Sequence, residues 1–78
     1  MARDAKQISE FIVQWLSEQL GQKVGADAEF TALGLDSLDA VRMTDALAAK
    51  LSVDELPVSV VLEHPSVSAL ATHLASLP

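Results

Sequence analysis

The chain has no cysteine and no tyrosine. Among its 78 residues are only three glycines, three prolines, two phenylalanines and one tryptophan. Each scarcity excludes something. Without cysteine there is no disulfide and no thiolate site, which fits a reducing compartment. With Phe11, Trp15 and Phe30 as the only aromatics, the core has to come from Leu, Val, Ile and Ala, which suits packed helices. Basic residues are few, 5 Lys and Arg against 11 Asp and Glu, for a formal charge of −6 at pH 7. That sign argues against nucleic acid as a partner, because phosphates need Lys and Arg to neutralise them. It favours partners with basic docking patches. No apolar run approaches the ~20 residues of a bilayer span. The charged start, Met1 to Lys6, leads into no long apolar segment of the signal-peptide kind. A soluble, cytoplasmic chain with no membrane partner is therefore expected, forming a single domain over 1–78. There is no internal repeat and no low-complexity tract.

What is present is helical periodicity. Ile8, Phe11, Ile12, Trp15 and Leu16 fall on one stripe at about 100° per residue, Leu20 extends it, and Gly21 is a C-terminal stop. Residues 21–36 form a long connection, punctuated by Gly21, Gly25 and Gly34, with Phe30 and Leu33 as apolar anchors. A loop beyond about a dozen residues is uncommon in a small domain unless its own side chains pack it down or it carries function. A second helix starts at Asp36 or Ser37 and runs to about Leu51, with Asp36-x-x-Asp39 resembling a capping box. Pro57 opens a short third element over the apolar run Val58 to Leu62, and Glu63-His64-Pro65 ends it. Ser66 caps a last helix with Val67, Leu70, Ala71, Leu74 and Leu77 on one face. The expected fold is all-α: a small four-helix bundle of three main helices and a short third one, with the long loop after the first.

The second helix has two apolar faces. Ala40, Met43, Leu47 and Leu51 follow a 3-4-4 rhythm and read as the core stripe. Leu38 and Val41 lie opposite, with Arg42, Asp45 and Ala49. They are fringed by the charges of Asp36, Asp39, Arg42 and Asp45. An apolar pair rimmed by charge at a helix start is a candidate docking patch, although scattered surface hydrophobics are also ordinary.

Ser37 lies at the loop-to-helix junction in Gly34-Leu35-Asp36-Ser37-Leu38. It is either an ordinary helix cap or a hydroxyl presented for another enzyme to modify. A hydrolytic triad with His64 or His73 finds no support. The Gly-x-Ser-x-Gly elbow is absent, and so small a helical domain has little room for a deep site with an oxyanion hole. Neither histidine has a metal-ligand spacing with another. Asp27 and Glu29 lack the Gly and Glu that a calcium loop requires. No catalytic residue and no metal ligand is expected. An attachment point remains, as does a plain protein-interaction bundle that carries nothing.

Phe30-x-x-Leu33-Gly34-Leu35-Asp36-Ser37-Leu38 resembles the signature of acyl carrier proteins, and the resemblance extends over nearly the whole chain. In that family the serine of Asp-Ser-Leu carries 4′-phosphopantetheine through a phosphodiester, and the arm's thiol holds acyl groups as thioesters. By resemblance Ser37 is the modified residue, and Asp36, Leu38, Asp39, Val41, Arg42 and Asp45 face modifying and partner enzymes. Arg42 departs from the family, which usually has an acidic residue there, and so bears on which partners dock. Leu56-Pro57 with Glu63-His64-Pro65-Ser66 and Leu70-Ala71-x-x-Leu74 is similar to carriers of modular polyketide synthases. Peptidyl carriers typically read Gly-Gly-His-Ser-Leu, and primary fatty-acid carriers are more acidic along the second helix. Carriers of the β-branching kind often bear a Trp where this chain has Met43.

The resemblance implies a non-catalytic, monomeric carrier of polyketide intermediates. A phosphopantetheinyl transferase would load it from coenzyme A, and ketosynthase, acyltransferase and acyl-modifying enzymes would use it. A place in fatty-acid or non-ribosomal peptide synthesis is the alternative.

Overall fold

The first helix owes its ends to two residues. Asp4 accepts the Lys6 amide at 2.9 Å through its carboxylate, and Gly21 closes the helix at φ 65°, donating its N–H to the Ser17 carbonyl at 3.0 Å. A left-handed closing residue favours glycine because it has no Cβ to clash. In the computed structural model, which describes residues 4–76, four helices follow in order: α1 (Ala5–Leu20), α2 (Ser37–Leu51), α3 (Ser59–Glu63) and α4 (Val67–Ala75). Among the described residues the β-type pairing is one isolated bridge, Glu29 with Ser66. The all-α expectation and its four helices are realised. Leu77 lies outside the described residues.

The core is aliphatic. α1 contributes Ile8, Ile12 and Leu16, α2 contributes Ala40, Met43 and Leu47, and α4 contributes Val67, Leu70, Ala71 and Leu74. α1 packs chiefly against α4. Because Ile8, Ile12 and Leu16 recur every four residues, they form the line that meets α4. Phe11 and Trp15, read as part of the same stripe, are only half-buried at its margin. There Phe11 meets the end of α2, with the Lys50 ammonium 5.7 Å from its ring centroid.

Two features of α2 depart from the sequence reading. Thr44 is buried, a polar side chain inside the core stripe. Its hydroxyl donates to the Val41 carbonyl at 2.8 Å, so the buried oxygen keeps a partner without leaving the helix. Leu51, expected in the stripe, is half-buried. It is the last helical residue, and Ser52 turns the chain away at φ 57°, the one non-glycine described with positive φ.

The long loop is packed down, as its length demands. Phe30 is buried and Leu33 packs against the core. Val24, not singled out from the sequence, is buried with them. The loop is also clasped to the α3–α4 turn: the Phe30 amide donates to the Pro65 carbonyl at 2.8 Å, and the Val67 amide donates to the Ala28 carbonyl at 3.0 Å. Pro65, which has no N–H of its own, thus still serves the clasp as an acceptor. Ser66 caps α4, its hydroxyl accepting the Ala69 amide at 3.2 Å. The clasp ties residues 28–30 of the loop to the α3–α4 turn.

Candidate attachment site

Gly34 reverses the loop at φ 76°, the left-handed region where glycine is the easy occupant. Leu35 then packs against the core, and Asp36 follows in extended backbone at φ −98°, ψ −179°. The Asp36 carboxylate accepts the Asp39 amide at 2.8 Å, and its carbonyl accepts the Ala40 amide at 3.1 Å. Asp36 is therefore the N-cap of α2, the role expected of it. Ser37 is the first helical residue, exposed, and it is not the cap. The capping role of this junction thus belongs to Asp36.

Beside Ser37 lies a hollow of about 250 Å³ between the loop, the start of α2, and α3. Phe30, Leu35, Val61 and Pro65 give it apolar walls, and Val58 and Leu62 stand along it from the α3 side. The remaining expected site residues, Leu38, Asp39, Val41, Arg42 and Asp45, lie outside its lining, along α2 beyond Ser37. Leu38 and Val41 are exposed, at 56% and 42%, and Arg42 and Asp45 are exposed on the same face of α2. Asp39 is half-buried at the edge of that face.

Two residues missed from the sequence join this surface. Leu62 is 75% exposed and Val58 36%, both in the apolar run of the third element. Their signal was available. A helix as short as α3 cannot bury every side of so apolar a segment, so part of Val58 to Leu62 had to face outward.

The two histidines are elsewhere. His64 and His73 stack on each other, with ring centroids 4.1 Å apart and planes 16° from parallel. They line a separate shallow groove with Ser68, Thr72 and Ser76, which does not include Ser37. Among the described residues no cluster of three or more His, Asp or Glu side chains is arranged to hold a metal ion.

Comparison with known proteins bears on what the site is for. Residues 10–74 match the family model described as the phosphopantetheine attachment site. The chain belongs to the phosphopantetheine-binding carrier domains. It is 39% identical over 69 residues to erythronolide synthase EryA2 of Saccharopolyspora erythraea, covering 83% of this chain and 2% of that protein. It is 46% identical over 63 residues to subunit 2 of the D-lysergyl-peptide-synthetase of Claviceps purpurea, covering 81% of this chain and 5% of that protein. The carrier domain thus spans only a few per cent of the length of these relatives.

Among solved structures, a free-standing peptidyl carrier protein of Acinetobacter baumannii superposes with a TM-score of 0.85 at 26% identity, covering 95% of each chain. BlmI, a type-II acyl carrier protein of Streptomyces verticillus, superposes with a TM-score of 0.81 at 28% identity, covering 90% of this chain and 84% of that one. The group that such domains hold is covalent phosphopantetheine. No helix among the described residues is long and apolar enough to cross a membrane.

Proposed function

We propose that Ser37 is the residue to which the carrier domain's 4′-phosphopantetheine is attached. One observation carries the proposal: Asp36 makes the capping bond, leaving the Ser37 hydroxyl exposed at the start of a fifteen-residue helix. A phosphodiester at that point has the helix N-terminus beside it, where backbone amides and the helix dipole favour negative charge. The apolar hollow next to Ser37 can receive the proximal arm or a short acyl chain. When bound, the group supplies a thiol that holds acyl chains as thioesters.

In this reading the carrier domain catalyses nothing and acts as a monomer in the cytoplasm. A phosphopantetheinyl transferase modifies it, with Ser37 Oγ displacing adenosine 3′,5′-bisphosphate from coenzyme A. The tether then raises the effective concentration of the acyl group at each partner. Asp36, Leu38, Asp39, Val41, Arg42 and Asp45 form the face that ketosynthase, acyltransferase and acyl-modifying domains recognise. Leu62 extends that face beyond the second helix.

Similarity to an erythronolide synthase and the Glu63-His64-Pro65 segment support polyketide assembly. A second reading, a carrier in non-ribosomal peptide synthesis, is favoured by the similarity to a D-lysergyl-peptide-synthetase. Two measurements test these readings. Intact mass after incubation with coenzyme A and a broad-specificity transferase must rise for the native chain and stay constant for Ser37→Ala. Competing ketosynthase and condensation-domain assays with the loaded protein then separate the two pathways.

A further inference from the structure

The two histidines take no part in the hollow at Ser37, yet they tie down the element that walls it. His64 ends α3 as its C-terminal cap, and His73 lies in the last turn of α4. Their rings stack with centroids 4.1 Å apart and planes 16° from parallel. In-plane lone pairs on rings so placed do not converge on one ion, so the pair is a contact and not a chelate. Both side chains are half-buried, and the groove they share is otherwise lined by Ser68, Ala69, Thr72 and Ser76. Among the described residues no carboxylate, Lys or Arg lines it. Ring contact, rather than an ion pair, holds the two together.

The helix that His64 ends needs such a contact. Five residues make a helix marginal by itself, and its start at Val58 has no side-chain cap. Val60 and Val61 are its buried residues, while Ser59, Leu62 and Glu63 are exposed. α4 is the firm side, because Leu70, Ala71 and Leu74 around His73 are buried in the core. Pro65, next after His64, accepts the Phe30 amide at 2.8 Å through its carbonyl. Phe30, Val61, Leu62 and Pro65 all line the hollow beside Ser37. The stack thus anchors the end of the hollow's α3 wall to α4.

We propose that His64, through its stack on His73, is a positioning residue for loading at Ser37. The stack fixes the tilt of α3, and so the place of Leu62 relative to Leu38 and Val41, the apolar points that a transferase meets. His64 does not line the hollow and acts only through α3. Losing the stack weakens recognition and leaves the transfer step alone, because Ser37 is held by α2 and its Asp36 cap. The proposal rests on Ser37 being the loaded residue.

The test combines transferase kinetics with the orientation of α3 in the full chain. His64→Ala and His73→Ala should each keep the native helical circular dichroism. Each should raise the KM for the carrier about fivefold at unchanged kcat, the size expected of one lost aromatic contact. The double variant should be no worse than either single one, since both remove the same contact. His64→Phe gives His73 a ring again and should return KM to the native value. Residual dipolar couplings of the isotope-labelled chain need no transferase. They should show α3 turned relative to α1 and α4 in His64→Ala, and restored in His64→Phe. Four outcomes overturn the proposal: α3 couplings unchanged in His64→Ala, additive effects of the two alanines, a fall in kcat at constant KM, or a folded His64→Phe that rescues nothing. A native chain that acquires no arm would instead sink the Ser37 reading, and the couplings would still decide the role of the stack.

Discussion

The Asp36 carboxylate accepts the backbone amide of Asp39 at 2.8 Å, and this bond divides two roles that a single serine might have held. Asp36 ends the loop and starts the helix. Ser37 is left with an exposed hydroxyl on the first turn of a rigid element. Asp36→Ala removes the acceptor while leaving Ser37 in the chain. It should cost about 0.5–2 kcal/mol of stability in urea unfolding, the usual range for a lost N-cap. Amide exchange should accelerate first at Leu38, Asp39 and Ala40. Unchanged stability would mean that the cap contributes nothing to holding Ser37 in place.

The two faces of α2 should separate in mutational cost. Leu47 is fully buried, whereas Val41 is 42% exposed. Leu47→Ala should cost about 2–5 kcal/mol as a core truncation. Val41→Ala should cost well under that, because 42% of its surface stays in solvent and its loss opens no void inside the core. In a ketosynthase or transferase assay the order should reverse, with Val41→Ala slowing turnover at full folding. Equal destabilisation by both substitutions would contradict the assignment of the outer face.

Much of this was legible in the residues. The main helices follow from apolar spacing and from Gly21, Asp36 and Ser66 at their ends, because caps and periodicity are local. The outward pair Leu38 and Val41 follows from the same count. What escaped depends on neighbours distant in sequence. The clasp between Phe30 and Pro65 joins a loop to a turn that no local pattern pairs with it. The stacking of His64 on His73 depends on how α4 leaves the α3–α4 turn. Thr44 escaped for a different reason: a hydroxyl reads as polar, yet its bond to the Val41 carbonyl makes it compatible with the core. Leu62 was read as part of an apolar run, and the brevity of α3 leaves it outside.

Ser52 holds a left-handed conformation at φ 57° where α2 closes. For a residue with a Cβ that conformation is costly, and glycine adopts it freely. Ser52→Gly should therefore raise stability by about 0.5–1 kcal/mol, read as a higher urea midpoint at unchanged slope. A lower midpoint would show that the serine side chain contributes more than its backbone costs.

Arg42 is the basic exception on a face that also carries Asp36, Asp39 and Asp45. Arg42→Glu should improve docking to fatty-acid-type enzymes with basic patches and weaken docking to the native synthase partner. The effect should be about 0.2–1 kcal/mol, the usual worth of an exposed charge pair, and should shrink as salt rises. Identical kinetics with both sets of enzymes at low salt would reduce Arg42 to a solvated surface residue.

The most direct test is the position of the modification itself. The native chain is loaded with coenzyme A and a phosphopantetheinyl transferase, digested, and mapped by tandem mass spectrometry. The arm should be found on Ser37 alone, and Ser37→Ala should acquire none while keeping the helical circular dichroism of the native protein. An arm on Ser9, Ser52, Ser59 or any other serine, or a native chain that acquires no arm, would contradict the account.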